Sequence, residues 1–520
     1  MDVKKIETSF LNDIYDLYCS KLSDEIRYVF FKYEYYCDSN LLEKVQLRVR
    51  EFVISNYLLE HITHDYERYK KKVGRWNSEE HIHKSYILLL TKKNKFYNNY
   101  PLFEEKIRLL SQKVITQLSF IFKKYTSDIV TLSKYFNIEF NNLIDINFAL
   151  GDWHNNLCTC LIKNSCGKQI VLKPTNGGLA EGYYKFISWI NQYVGCNLKA
   201  GKILDRTEYH WMQFIATEDS QNINDIKEYY YSAGMLIFLT YFLNSRDLHY
   251  ENLIASRSCP IIIDLETIVQ SEPSQLYVQE KSLQNSVYDS SLLPDYNNNW
   301  GIPFSSCGLG CKFYNLEIMY EKGINNFGQL GWKFYTKIVK KNMILNNIPT
   351  HNQRHIYINN YRKEVIKGFE DCYLFFLNNK SLLTASNSPL SYFSNKEVRF
   401  IWRPTHVYSK IMKHVFNAIN MDKCKLYAQK QIYEYLSRAY KEKDSRLLPV
   451  FMSEVDELSR CNIPYFTMNT SSKLMQTKFG RIRNVILESC IDKLYSNAES
   501  LSKLDMNLQI NKISSSLVFK

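Results

Sequence analysis

The sequence predicts an α+β protein, a mixed core of short strands and buried helices with helical regions on either side. Three observations carry this reading. Only 17 glycines and 11 prolines occur in 520 residues, less than half the usual share of about 12%, which disfavours a many-turned β architecture. Residues 1 to about 140 place apolar side chains at three- and four-residue spacing among charges, the helical period. From about residue 145 the texture changes to short apolar runs bounded by polar turns, as strands require. Hydrophobic residues make up 45% and charged residues 23% of the chain, globular values that exclude a mostly disordered protein. At roughly 150 residues per domain the length corresponds to about three domains.

Taken in order, IRYVFFKYEYY, LLEKVQLRVREFVISNYLLEHI and FEEKIRLLSQKVITQLSFIFKKY read as helices, and no proline before Pro101 interrupts them. NFALGDWHNN, TCLIKNSCGKQIVLKP and CPIIIDLETIV read as strands, with Ser-Cys-Gly-Lys as a hairpin turn. LAEGYYKFISWINQYV and IKEYYYSAGMLIFLTYFLN read as buried helices between them. Residues 270–310 are rich in Ser, Asn and Pro and read as a long loop; beyond 310 the chain reads as mainly helical, with an interruption near 380–405. The predicted organisation is a helical region over 1–144, a mixed core over 145–410 and a helical region over 411–520.

The formal charge is +13, from 66 basic and 53 acidic residues. Over this length it describes a solvated surface or a match for an acidic partner such as a nucleotide phosphate or an acidic peptide. No RNP, zinc-finger or basic-zipper pattern occurs, which argues against nucleic acid. The N-terminal stretch is polar and lacks a secretory pattern. The longest strongly apolar stretch, Met235 to Leu243, is far short of the ~20 residues of a membrane span. A soluble, cytoplasmic chain with reduced thiols is therefore expected. The closest cysteine sets, Cys158/Cys160 and Cys307/Cys311, lack the spacing of a structural zinc site.

The segment richest in chemistry is Arg246-Asp247-Leu248-His249-Tyr250-Glu251-Asn252, followed by Pro260-Ile-Ile-Ile-Asp264-Leu265-Glu266. An Asp and an Asn five residues apart, then a strand ending in another acid, repeat the spacing of a kinase catalytic loop and metal-binding strand. Phosphoryl transfer needs a carboxylate to orient the attacking hydroxyl and hard oxygen ligands to hold Mg²⁺ against the phosphates. Asp247 suits the first role, Asn252 and Asp264 the second, with Glu266 as a further ligand or orienter. Upstream, Lys173 ends the apolar run Gln169-Ile-Val-Leu, where a kinase places a cation for the nucleotide. Glu181 could pair with it or be solvated. Gly151-Asp152-Trp153-His154 reads as a turn bearing an acid and an imidazole. Gly177-Gly178 is too short for a phosphate-cradling loop.

GDWH, VLKP, RDLHYENLIA and PIIIDLET, in this order, resemble the dehydratase half of class II lanthipeptide synthetases, the LanM family. Val398-Arg399-Phe-Ile-Trp-Arg403-Pro-Thr405 with Tyr408, Asn462-Ile-Pro-Tyr-Phe466 and the terminal LSKLDMNLQINKISSSL fit the same family, so the resemblance runs from about 145 onward. It implies an atypical, lipid-kinase-like protein kinase core with large helical N-terminal and C-terminal additions. It also implies ATP and Mg²⁺ as cofactors and a ribosomal, leader-bearing precursor peptide as substrate. Ser and Thr of that peptide would be phosphorylated and phosphate then eliminated, giving dehydroalanine and dehydrobutyrine. By position, Arg399 and Thr405 match the family's elimination pair, Lys173 and His249 assist, and Asp152 and His154 match its first motif.

Three departures stand out. Thr175 follows Lys173-Pro where the family usually has Arg; Asn462 stands where it usually has Asp; and no Cys…Cys-His set follows residue 490, so no cyclase domain is expected in this chain, which reads as either a stand-alone dehydratase, with a separate cyclase as a candidate partner, or the excised first half of a longer enzyme. Two other readings remain: a kinase-only phosphotransferase, against which Arg399 and Thr405 argue, and a catalytically silent precursor-binding scaffold, against which the Lys173, Asp247, Asn252 and Asp264 set argues.

Overall fold

The computed structural model describes residues 8–74, 77–194, 196–274, 285–294, 306–310, 318–340, 345–440 and 444–518. The chain forms two compact units that alternate along the sequence: Met1–Pro174, Met319–Val339 and Arg403–Pro464 make one, and Thr175–Ile318, Lys340–Trp402 and Tyr465–Lys520 the other. Both mix helices and strands, the α+β composition that the sequence predicts.

The first unit opens with helices Thr8–Lys32, Leu41–Val53, Leu59–Val73, Glu79–Leu90 and Lys93–Asn99, then the long helix Pro101–Phe136. Pro101 sits in the first turn, where its missing N–H has no intrahelical partner to lose. Asn137, left-handed at φ 55°, closes the far end. Ile107, Leu110, Val114, Leu118, Ile121 and Tyr125 are buried along one face, the period that the sequence displays.

Strands Leu143–His154, Leu157–Asn164 and Gln169–Lys173 form an antiparallel meander. Ser-Cys-Gly-Lys is its second turn, with Gly167 at φ 76° and its N–H donated to the Asn164 carbonyl. The first turn differs from expectation. Gly151-Asp152-Trp153-His154 is strand, not turn, and Asn155-Asn156, at φ 50° and 64°, make the reversal, since two consecutive left-handed residues suit a tight hairpin. Gly151, at φ 91°, lies at a register irregularity of the same strand.

Ile318–Asn325 pairs with Lys333–Lys340 as a two-stranded sheet, where the sequence reads as helix. Gly328 and Gly331, at φ 78° and 81°, supply the turn positions. Trp332 closes this hairpin on the helices, donating Nε1–H to Thr63 Oγ1 (2.9 Å) and stacking on Tyr66 with centroids 4.7 Å apart. Helices Thr405–Val415, Lys425–Ser437 and Leu448–Ser459 share a core that includes Tyr408, Val415, Ile432, Leu436, Phe451 and Leu458.

In the second unit, helix Gly178–Val194 is followed by the hairpin Ile203–Asp205/His210–Gln213 and by helix Ile223–Phe242. The latter is apolar nearly all round because it is buried nearly all round. It packs on helix Arg362–Asn378 at a glycine crossing: a Cβ on Gly234 would strike the Val365 carbonyl, and one on Gly368 the Tyr231 carbonyl. The hairpin Leu253–Ser256/Cys259–Ile262 carries the acidic segment. Strand Glu397–Phe400 starts an antiparallel sheet with Phe466–Asn469, Leu474–Thr477 and Gly480–Arg483. These last three strands correct the helical reading of 411–520. Four-residue strands are too short to show a period in sequence, and only helices Cys490–Ser500 and Lys503–Ser516 follow them. Of the 270–310 loop, residues 275–284 and 295–305 lie outside the described residues, as does Cys311. Among the described residues no helix is long and apolar enough to cross a membrane.

Lys113, on the long helix, is 2% exposed and donates Nζ–H to the Cys461 carbonyl (2.6 Å) beside the Trp153 ring. Burial pulls its ammonium down to about 8, against the opposing pull of Cys461, Cys158 and Glu457. A lysine whose folded value lies below its unfolded value (about 10.4) penalises folding at low pH and ceases to do so as pH rises between the two. Urea unfolding of Lys113→Met against wild type should therefore give a stability difference that moves in favour of wild type from pH 7 to pH 10. A pH-independent difference would show that the ammonium is not desolvated.

Candidate active site

Asp247 and Asn252 sit on the loop that enters the hairpin Leu253–Ser256/Cys259–Ile262. Backbone geometry and hydrogen bonds fix that loop. Asp247 is left-handed at φ 60°, a conformation that Asp tolerates better than most residues. Asn252 Nδ2 donates to the Asp247 carbonyl (2.8 Å), and the Asn252 N–H to the His249 carbonyl (2.9 Å). His249 caps the short turn Tyr250–Asn252, its Nδ1 accepting from the Glu251 N–H (3.3 Å). With Nδ1 accepting, the neutral ring carries its proton on Nε2.

The loop is also stitched to the strand end beyond the hairpin. Thr267 Oγ1 donates to the Arg246 carbonyl (2.6 Å), the Arg246 N–H to the Thr267 carbonyl (3.2 Å), and Ser245 Oγ to the Ile268 carbonyl (2.5 Å). The Arg246 guanidinium pairs with Asp289 (2.9 Å), and the Leu248 N–H donates to the Ser290 carbonyl (2.8 Å), so the described part of the 270–310 loop buttresses the same turn. The Ile263 N–H donates to the Asn252 carbonyl (3.0 Å), which brings Asn252 and Asp264 to the open end of the hairpin together.

Glu266 and Arg399 are joined through both backbone and side chain. The Arg399 N–H donates to the Glu266 carbonyl (2.9 Å), and Arg399 Nη1 lies 3.5 Å from Glu266 Oε2. The two side chains are only 12% and 17% exposed. Thr175 donates to the other oxygen of Glu266 (3.1 Å), the Tyr465 ring lies 5.2 Å from the guanidinium, and Gln270 Nε2 donates to the Arg399 carbonyl (2.9 Å). Burial alone would pull the guanidinium down, but Glu266, Tyr465, Asp264 and Asp247 outweigh it and hold Arg399 above the ordinary arginine value. The same burial, with Glu266 beside it, pushes the Tyr465 hydroxyl well up. Asp247, Asp264, Glu266 and Arg399 thus lie in one electrostatic neighbourhood of the second unit.

Asn252 and Asp264 suit a hard cation. The amide nitrogen of Asn252 is committed to Asp247, which leaves its oxygen as the ligand atom. One carboxylate plus one amide oxygen is a set that Mg²⁺ completes with water and substrate phosphates. Glu266 is different, because both of its oxygens already accept, from Thr175 and Arg399, so it would join a metal only by loosening those contacts. Among the described residues no group of three or more His, Cys, Asp or Glu side chains is arranged to hold a metal ion.

Of the remaining sequence candidates, all but Glu181 belong to the first unit. Lys173 is the last residue of its strand and 9% exposed. Glu181, in the second unit, pairs with Lys185 one turn along its helix (2.9 Å). Asp152 is exposed at the strand end. His154 Nδ1 lies 2.7 Å from the Ile463 carbonyl and, as a carbonyl only accepts, carries the proton there; the Ile463 N–H donates to the Trp153 carbonyl (2.8 Å). This tie joins GDWH to the Asn462-Ile-Pro segment. Asn462, 1% exposed, donates to Glu457 (3.0 Å) and to Asn156 (3.1 Å). An Asp at that position would set a second carboxylate against Glu457, so Asn at 462 is matched to its neighbour. Thr405 is the first residue of helix Thr405–Val415. Arg403 pairs with fully buried Glu454 (2.7 Å), the ion-pair role that an arginine beside a strand usually has.

Sequence reasoning did not assign contacts to Thr175, Gln270 or Tyr465. Thr175 and Tyr465 stand inside motif segments, but nothing in the one-dimensional pattern says that both face the Glu266–Arg399 pair.

Arg399, buried among carboxylates beside the Asp247…Asn252 loop, is the centre of the candidate site. The chain belongs to the family described as Domain of unknown function (DUF4135), whose model matches residues 100–469. It is similar to the lacticin 481/lactococcin biosynthesis protein LcnDR2 of Lactococcus lactis subsp. lactis, 25% identical over 394 residues that cover 71% of this chain. The aligned part spans 40% of that relative's length. The resemblance to the dehydratase half of the LanM synthetases is borne out by this match.

Removing the carboxylate of a buried ion pair strands the partner charge. Glu266→Gln should lower unfolding stability by about 3 kcal/mol, and Thr175→Val, which removes one neutral donor, by about 1 kcal/mol. Urea denaturation of both variants checks the order; equal effects would mean that the ion pair is solvent-screened.

Proposed function

We propose that this chain is a peptide dehydratase of the lanthipeptide type, with a lipid-kinase-like core, acting on Ser and Thr of a leader-bearing ribosomal precursor. The observation that supports it best is the Arg399 guanidinium, buried beside Asp264 and Asp247. A kinase needs the two acids; it has no need of a buried arginine that matches a departing phosphate with parallel hydrogen bonds. The net charge of +13 suits an acidic leader.

In the first half-reaction the Ser or Thr hydroxyl attacks the γ-phosphorus of ATP, its bond to the β-phosphate oxygen breaks, and ADP leaves. Asp247 orients the hydroxyl and accepts its proton. Lys173 supplies positive charge for the nucleotide phosphates. Asn252 and Asp264 would hold Mg²⁺, which neutralises phosphate charge when bound. In the second half-reaction the α-proton passes, shuttled by Lys173 or His249, to the departing phosphate as the Cα–Cβ double bond forms and the Cβ–O bond breaks, so that hydrogen phosphate is released. Arg399 neutralises the phosphate, and Thr405 adds a hydroxyl at a helix start, where backbone N–H groups lack intrahelical partners and favour an anion. Lys173 and His249 stabilise the enolate that develops, His249 by donating from Nε2. Asp152 and His154, in the family's first motif, orient substrate.

Mass spectrometry of the lacticin 481 precursor after incubation with the protein, ATP and Mg²⁺ tests the reading. Loss of one water per modified residue is expected. Gain of phosphate without loss would leave a kinase, and no change with ATP bound would leave a scaffold. Asp247→Asn should slow phosphorylation by about 10²- to 10⁴-fold. Arg399→Met should still phosphorylate but accumulate phosphopeptide; full dehydration by that variant would remove Arg399 from the mechanism.

A further inference from the structure

Glu454 is 0% exposed and accepts three charged or hydroxyl donors. Arg403 Nε (2.7 Å) and the Tyr408 hydroxyl (2.8 Å) share Oε1, and the Tyr440 hydroxyl (2.6 Å) takes Oε2. The Tyr440 ring also lies 5.1 Å from the Arg403 guanidinium. Tyr408 is 2% exposed, in the core shared by three helices. Taking a carboxylate and a guanidinium out of water is expensive, and apolar side chains of similar volume would join those helices at least as well. What a fully satisfied polar network adds is a single orientation.

The segment so oriented is short. Arg403 lies two residues before Thr405 and Tyr408 three residues after it, and one carboxylate oxygen binds both. Between them Pro404, at φ −54°, is the N-cap of helix Thr405–Val415, and its ring removes backbone freedom there. Thr405 is thereby held from both sides, within one unit, by a residue 49 positions away in sequence.

We propose that Glu454 is a positioning residue for Thr405, fixing the start of its helix so that the hydroxyl serves the elimination step and not the phosphorylation step. This rests on the dehydratase reading, and the two fail differently. Glu454→Gln, Tyr408→Phe and Arg403→Lys are to be compared with the wild-type chain on two probes, the lacticin 481 precursor and a synthetic copy carrying phosphoserine, both with ATP and Mg²⁺. Elimination from the phosphoserine peptide should fall about 10- to 100-fold while phosphorylation of the unmodified peptide changes less than about threefold. Tyr408→Phe keeps the ring packed and removes only one donor, so it reports even where Glu454→Gln fails to fold. A folded Tyr408→Phe or Arg403→Lys that eliminates at the wild-type rate overturns the proposal. So does a parallel loss of both steps, the mark of a purely structural network. Wild type that eliminates from neither probe overturns the dehydratase reading, and the positioning role with it.

Discussion

A guanidinium buried away from water must find its charge partner inside the protein, and for Arg399 that partner is Glu266. Much of the second unit is arranged around this pair. Strand Glu397–Phe400 delivers Arg399 with its backbone bonded to Glu266 on one side and to Phe466–Asn469 on the other. Thr175, Gln270 and Tyr465 each contribute one contact to the pair. The Asp247–Asn252 loop is tied to the strand end that carries Glu266 by the bonds of Ser245, Arg246 and Thr267. Asp247, Asn252, Glu266 and Arg399 therefore hang on one hydrogen-bonded frame.

Two arginine–glutamate pairs occupy neighbouring places in sequence with different surroundings. Arg399 belongs to the second unit and Arg403, four residues on, to the first. Arg399 makes a longer contact of 3.5 Å to a carboxylate that keeps some solvent access, and several acids share the guanidinium. Arg403 makes a 2.7 Å contact to a carboxylate with no exposure at all, closed off by two tyrosines. The first arrangement leaves a guanidinium that can exchange one anion for another. In the second the carboxylate is fully buried and saturated by three donors, which suits it to holding backbone in place.

The helices of the first 140 residues and the strand meander were legible because each runs long enough to display its period, and the Ser-Cys-Gly-Lys turn because glycine there has to be left-handed. The strands between Phe466 and Arg483 were not, since four-residue strands carry no period of their own, and the hairpin around Gly328 was not because its strands Ile318–Asn325 and Lys333–Lys340 lack strict apolar–polar alternation. Gly151-Asp152-Trp153-His154 lies in a strand, in line with the strand reading of NFALGDWHNN and against the turn reading of its glycine, which rests on glycine before polar residues ordinarily being a turn; here the two asparagines that follow make the reversal and the glycine marks an irregularity within the strand. Asp247, Asn252, Asp264 and Glu266 could be singled out by spacing alone, because a hairpin brings its two ends together whatever surrounds it. The partners of Glu266 could not: Thr175, Arg399 and Tyr465 come from three distant stretches, and only folding relates them.

In the proposed reaction Glu266 would make the two half-reactions constrain one another. A carboxylate next to a metal site favours the first reaction by adding negative charge for the cation; the same carboxylate opposes the second by occupying the arginine that phosphate needs. With both oxygens already accepting, from Thr175 and Arg399, Glu266 stands closer to the second function than to the first. A departing phosphate beside Arg399 competes with Glu266 for the guanidinium, and a dianion forming parallel hydrogen bonds is the stronger acceptor. Thr175, where the family resemblance leads to an expected arginine, gives Glu266 a neutral donor that would remain if Arg399 were drawn away. A fixed arginine in that place would instead hold Glu266 more firmly and add a second charge to the site.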